Sequence, residues 1–256
     1  TVINALAPQV QTGGYAPTLL QGVTGSGKTE VYKQLIITAI NTQKTTICLF
    51  PEVTLALQFE TIFKQQLPFP ERIFSFHSTT KVSEKKKLWN MLLSKTPVVI
   101  LGVHLPILLP IANLGLILVD EEHERGFQEK RHPKMNSKDL ALWRAKTYNC
   151  PIILGSATPS LSTLHAAKTG KIAHYRLTKR FKGKFPTVIQ ARMVTPDKRK
   201  RASFWITSEL EAAIRDRLSK KQQTILYLNR RGHSFSAQCQ DCGTLVMCQS
   251  CSVSLT

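Results

Sequence analysis

The chain has 256 residues, room for one large domain or two small ones, with 42% hydrophobic residues and a formal net charge of +19. That is the composition of a soluble globular protein, and no apolar run reaches the length of a membrane span. A charge so far from neutral predicts a polyanionic partner, nucleic acid first and an anionic membrane surface as the lesser alternative. Thr1 opens no signal-peptide pattern, and the missing initiator Met points to a fragment or a processed chain. Of six cysteines, Cys48 and Cys150 stand alone beside apolar runs and are expected to be buried thiols. The other four crowd the C-terminus at metal-ligand spacing, which fits a cytoplasmic protein better than a disulfide framework.

In chain order, residues 1–18 carry little pattern, and Gly13-Gly14 with Pro17 reads as a loop before the first strand. Short apolar runs then alternate with helical patterns. Strands are predicted at Leu19–Val23, Thr45–Phe50, Arg72–Phe76, Pro97–Gly102, Leu116–Asp120 and Pro151–Gly155. Helices are predicted near Thr29–Asn41, Thr54–Gln66, Ser83–Ser94 and Ser137–Thr147. Nearly continuous apolar strands between helices predict an α/β fold, a parallel sheet covered on both faces with its working loops at the strands' carboxyl ends.

The first strand runs into Gly22, Val23, Thr24, Gly25, Ser26, Gly27, Lys28 and Thr29, a full match to G-x-x-x-x-G-K-[ST]. Strand, loop and helix together aim backbone N–H groups at one anion, and glycines let the backbone curl around it. Lys28 is expected at the β- and γ-phosphates, and the Thr29 hydroxyl on Mg²⁺. This predicts a site for a nucleoside triphosphate. Leu116–Val119 then leads into Asp120-Glu121-Glu122-His123. A hydrophobic strand ending in acids suits a Walker B site, with Asp120 serving Mg²⁺, Glu121 polarising the attacking water, and His123 placed to feel the γ-phosphate. Gly155-Ser156-Ala157-Thr158-Pro159 follows the next strand and draws its weight from coming after the other two motifs.

Beyond Thr178 the alternation breaks. Lys179, Arg180, Lys182, Lys184, Arg192, Lys198, Arg199, Lys200 and Arg201 face a single acid, Asp197, in a stretch that reads either as a solvated linker or as a nucleic-acid contact. Ser208 and Glu211 suggest a capping box for a helix to Ser219, followed by a strand at Thr224–Leu228. Cys239-x₂-Cys242 and Cys248-x₂-Cys251 form a zinc candidate. Four thiolates make one tetrahedral site, although the five-residue spacer is short for wrapping a single ion.

Gly22–Thr29, Pro51-Glu52 continuing to Gln58, Asp120–His123 and Gly155–Pro159 resemble motifs I, Ia, II and III of superfamily 2 helicases. The runs GVTGSGKTEVY, PEVTLALQ, LGLILVDEEHE, PIILGSATPS and LNRRG narrow the resemblance to the primosomal protein N′ family of replication-restart helicases, over about Leu19 to Cys251. That resemblance implies a RecA-like P-loop lobe at 1–178, a basic linker at 179–205, the start of a second lobe at 206–234 and a partial zinc segment at 235–256. It implies a 3′-to-5′ DNA helicase acting on forked or single-stranded DNA with other primosome and replication-restart proteins, using ATP, Mg²⁺ and Zn²⁺. It also implies that His123 couples hydrolysis to DNA, that Ser156 and Thr158 link the site to strand movement, and that Pro51, Glu52 and Gln58 line the DNA channel. The family's cysteine segment holds two zincs, so the two pairs here are half-sites on that view.

The sequence departs from the family in several places. No N-terminal DNA-binding domain or clean adenine-contacting Gln motif precedes Leu19, and the later second-lobe motifs do not follow Cys251. Those motifs supply an arginine worth roughly 10³–10⁵ in rate. Val103-His104-Leu105-Pro106 replaces a G-T-R-S-A type loop. Phe127 and Trp143 remain from an aromatic-rich loop, but Arg131–Met135 lacks the expected aromatic pair, so base stacking is expected to be weaker. The expectation is a shortened or diverged member carrying the motor's ATP-binding half, with a nucleotide- and DNA-binding remnant of little turnover as the alternative. A P-loop kinase or transporter ATPase fails to account for the DEEH, the S-A-T and the cysteines together.

Overall fold

The computed structural model of the chain describes residues 1–129, 132, 134–181, 187–191, 206–227 and 244. The chain divides into two units, Thr1–Phe185 and Pro186–Thr256.

The first unit is built on a seven-stranded sheet in the order β3-β4-β2-β5-β6-β1-β7. Its strands are β1 (Pro17–Gly22), β2 (Thr45–Leu49), β3 (Ile73–Ser75), β4 (Val99–Gly102), β5 (Leu114–Val119), β6 (Ile152–Ser156) and β7 (Ala173–Leu177). All neighbouring pairs are parallel, as the apolar strands predict. The helices of this unit are α1 (Val2–Thr12), α2 (Lys28–Asn41), α3 (Val53–Gln66), α4 (Val82–Leu93), α5 (Ser137–Thr147) and α6 (Leu161–Lys168).

Alternation along β5 shows how both faces are filled. Leu116 and Leu118 join a core with Leu6, Val31, Tyr32, Leu35, Ala56 and Phe63 from α1, α2 and α3. Ile117 and Val119 point the other way, onto Leu88 and Leu92 of α4 and Ala141 and Ala145 of α5. Each fully buried aliphatic side chain contributes roughly 1.5–3 kcal/mol, so the two layers together hold this unit. Cys48 and Cys150 are buried free thiols, as expected. Burial pushes both thiols upward, Cys150 to about 12.

Three elements differ from the sequence reading. Residues 2–12, to which the sequence reading assigned no element, form a helix, with Thr1 accepting from the Asn4 N–H and Pro8 inside it. Leu6 and Val10 are buried and Val2, Ile3 and Ala7 pack beside them at helical spacing, a signal that the proline inside the helix disguises. β7 is a half-exposed edge strand with the polar sequence AHYRL, and α6 buries only Thr163, so neither carries a strong periodic signal.

The second unit contains α7 (Ser208–Ser219), with Thr207 at the N-cap accepting from the Leu210 N–H. The expected box at Ser208 and Glu211 is therefore displaced by one residue. Ser208 is already helical, and the N3 position that a capping box needs holds Leu210 rather than Glu or Gln. Residues Thr224 to Tyr227 do not form the predicted strand; Ile225 is 93% exposed. Among the described residues no ladder partner meets them, and Leu228 lies outside the described residues.

Candidate active site

Because every strand is parallel, the ends of β1, β2, β4, β5 and β6 emerge along one edge. β6 lies between β1 and β5, so the loop after β6 stands between the glycine-rich loop and the acidic loop.

The glycine-rich loop closes β1 and starts α2. Gly27 sits at the helix N-cap with φ 95°, a conformation that suits glycine, and no side chain caps that end. The first N–H groups of α2 are thus left for a ligand. The Lys28 Nζ donates to the Gly22 carbonyl at 2.8 Å and stands 3.8 Å from Glu121 Oε1. Thr29 is half-buried in the first turn of α2, one turn before Tyr32 and on the same helix face. From β7 onward the chain returns to this loop. Arg180 Nε donates to the Thr24 carbonyl and the Phe181 N–H to the Gly25 carbonyl, each at 2.9 Å. The start of the basic stretch thus braces the phosphate loop, a contact without a sequence motif.

The acidic tetrad follows β5. Asp120 is buried and accepts from the Tyr32 hydroxyl at 2.8 Å. Burial, with Glu121 beside it, pushes its carboxyl up to about 6, against the smaller downward pulls of Tyr32 and Lys28. A desolvated carboxylate short of positive charge fits Mg²⁺, which takes one or two carboxylates and completes its shell with phosphate oxygens and water. Glu121 has φ 48°, an uncommon conformation for a non-glycine residue. Its carboxylate stands between Lys28 and His123, at 3.8 and 3.6 Å.

Glu122, which the motif reading left without a role, has a fully buried side chain. It accepts from Lys138 Nζ at 2.9 Å, the Ser160 N–H at 2.7 Å, and the hydroxyls of Ser160 and Thr163 at 3.1 and 2.9 Å. Its backbone N–H donates to the Gly155 carbonyl at 3.0 Å. Burial alone would raise its carboxyl, but Lys138 and these donors outweigh that and hold it below the ordinary value. One buried residue therefore ties β5 to α5, β6 and α6. Polar residues at Lys138, Ser160 and Thr163 were a faint signal, because their convergence needs the fold.

His123 meets the loop after β6. Its Nδ1 lies 2.8 Å from Ser156 Oγ and its Nε2 3.2 Å from Thr158 Oγ1. The motif II and motif III residues singled out in the sequence are thus in direct contact. Pro51, Glu52 and Gln58 lie after β2 and in the first turns of α3, where Glu52 and Gln58 are exposed. His104 follows β4 and hydrogen-bonds Ser137 at the start of α5. Phe127 is buried in the core and cannot present its ring to a base, whereas Trp143 is exposed on α5. Of the two remaining aromatics, one is therefore structural. Cys239, Cys242, Cys248 and Cys251 lie outside the described residues, as do Arg131, Pro133 and most of the basic stretch.

Comparison with known proteins agrees with this arrangement. The chain is 33% identical to Replication restart protein PriA of Bacillus subtilis over 93% of its length, and covers 29% of that relative. It is 36% identical to Replication restart protein PriA of Synechocystis over 95% of its length, and covers 30% of that relative. The chain thus spans about a third of the length of these curated relatives. The crystal structure of the DUF1998 helicase MrfA superposes with a TM-score of 0.58 at 18% identity, over 90% of this chain and 36% of that one, a likeness of fold. A family model for DEAD/DEAH box helicases matches residues 4–167, which hold the glycine-rich loop, the acidic tetrad and the Ser156–Thr158 loop. The chain belongs to the DEAD/DEAH box helicase family.

Proposed function

We propose that this chain is the ATP-binding half of a 3′-to-5′ DNA helicase motor of replication restart. The observation that carries the reading is the unbroken run of contacts from Lys28 through Glu121 and His123 to Ser156 and Thr158. It joins the residues that would meet the γ-phosphate to a loop on the sheet edge where Pro51, Glu52 and Gln58 also emerge. The relatives to which this chain is 33–36% identical over most of its length carry the name Replication restart protein PriA.

In this reading Gly22, Val23, Thr24, Gly25, Ser26, Gly27, Lys28 and Thr29 cradle ATP through backbone N–H groups and the Lys28 charge. Thr29 and Asp120 would hold Mg²⁺, which would supply positive charge to offset that of the phosphates. Glu121 orients the attacking water and accepts its proton, with Lys28 as counter-charge. Loss of the γ-phosphate changes the surroundings of Glu121 and hence of the His123 ring, and the shift passes to Ser156 and Thr158. The +19 charge supplies the attraction for forked or single-stranded DNA. Cys239, Cys242, Cys248 and Cys251 would hold Zn²⁺ as thiolates, shared with further ligands or as one tetrahedral set. Other primosome proteins are the expected partners, the site of action is the cytoplasm, and no membrane is involved.

Nucleotide binding and DNA binding, measured separately on the chain and on Lys28→Ala, test the reading. Lys28→Ala should lose Mg²⁺–ATP binding and keep DNA affinity within about twofold, since the Lys28 charge is spent on phosphate oxygens. Equal loss of both affinities, or a DNA affinity indifferent to salt, would refute it. Binding of both ligands with no DNA-stimulated turnover would favour the remnant reading instead.

A further inference from the structure

Tyr32 belongs to α2, while Asp120 ends β5, two places along the sheet from β1 with β6 between them. Its side chain is buried in the core under α2, yet its hydroxyl reaches across β6 and donates to Asp120 Oδ1 at 2.8 Å. That path crosses β6 at Gly155. A Cβ on Gly155 would lie 1.7 Å from the Tyr32 hydroxyl oxygen, 2.9 Å from the carbon bearing it and 3.2 Å from Asp120 Oδ1. Gly155 lies within a regular strand and not in the left-handed region, so the backbone does not require glycine there. The hydroxyl does.

A phenylalanine would fill nearly the same volume in this core, so packing does not account for the oxygen. The phenol O–H faces the Asp120 carboxylate as a donor within the core. The hydroxyl removes one rotational freedom from the carboxylate on which the cation depends, and catalytic groups gain by being held in place before the ligand arrives.

We propose that Tyr32 is a positioning residue for the Mg²⁺-binding carboxylate: its hydroxyl fixes Asp120 across β6, and Gly155 is glycine to let it through. The inference rests on Asp120 being a Mg²⁺ ligand. It names a tie between motifs I, II and III that runs through the core and is separate from the His123 contacts.

The test is the affinity of the 256-residue chain for a fluorescent non-hydrolysable ATP analogue, measured in EDTA and over a Mg²⁺ titration. Tyr32→Phe should leave the EDTA affinity within about twofold and raise the half-saturating Mg²⁺ about tenfold, the effect of losing one hydrogen bond to a charged group. Asp120→Asn should abolish the Mg²⁺ enhancement. If it does so while Tyr32→Phe behaves as wild type, the positioning role is overturned and the Mg²⁺ reading stands. If Asp120→Asn keeps the enhancement, the Mg²⁺ reading itself fails. An equal loss with and without Mg²⁺ in Tyr32→Phe would mean a merely structural residue. Gly155→Ala should raise the Mg²⁺ requirement, and an unchanged requirement would sever Gly155 from the Tyr32 contact.

Discussion

Asp120 and Glu122 stand two residues apart after β5, both buried, and their surroundings drive them in opposite directions. Asp120 has one side-chain donor, Tyr32, with Lys28 at the glycine-rich loop as its cationic influence, and its carboxyl rises to about 6. Glu122 has Lys138, two hydroxyls and a backbone N–H, and its carboxyl is held down. Charge does not differ between an Asp and a Glu. The difference comes from what each meets. A carboxylate left short of positive charge is suited to a cation that comes and goes with nucleotide. A carboxylate already saturated is a permanent strut.

Removing each charge should therefore move stability in opposite directions. Glu122→Gln leaves Lys138 without its counter-ion in a buried network, and should destabilise the chain by about 3 kcal/mol in urea denaturation. A loss below about 1 kcal/mol would mean that the network contributes no more than a surface ion pair. Asp120→Asn keeps an acceptor for Tyr32 and removes a poorly compensated charge, so at pH 7 and without nucleotide it should stabilise the chain by roughly 1–2 kcal/mol. A destabilised Asp120→Asn would erase the contrast.

The smallest effect is in the pH dependence. Between the ordinary Asp value of 3.8 and about 6, folded Asp120 retains a proton that the unfolded chain has released. Its contribution to stability accordingly falls as pH rises through that window, by up to about 1.4 kcal/mol per unit. Glu122, with its folded value below the ordinary 4.5, contributes fully above 4.5 and loses that contribution as pH falls through the lowered value. Stability against pH, compared among wild type, Asp120→Asn and Glu122→Gln, should separate the two limbs. Asp120→Asn should lose the decline between about pH 4 and 6, and Glu122→Gln the loss at lower pH. Parallel curves for all three proteins would show that neither carboxyl is shifted.

The nucleotide site was legible in sequence because its chemistry is local. The role proposed for Gly22–Thr29 needs only consecutive backbone N–H groups, and Asp120–His123 lies at one strand end, so order along the chain already carries the geometry. Long apolar strands such as Leu114–Val119 were equally plain, since burial on both faces leaves a continuous apolar run. Elements whose partners are distant were not. β7 is a polar edge strand and α6 buries a single residue, so neither has a periodicity of its own, whereas α1 carries a helical apolar spacing that the proline inside it disguises. Phe127 reads as an aromatic left over from a DNA-sensing loop until the core claims it.

By itself the sequence determined the α/β class, the phosphate loop, the acidic strand end and the positions of most strands, because each depends on residues close together in the chain. Only the tertiary structure decided how those motifs act on one another. The insertion of β6 between β1 and β5 is a property of the sheet order, and it sets His123 against Ser156 and Thr158, Tyr32 across Gly155 onto Asp120, and Glu122 among residues of α5 and α6. Each of these contacts joins residues 33 or more apart in sequence, except Glu122 with Lys138 at 16. At such separations no spacing rule applies, and packing alone brings the groups together.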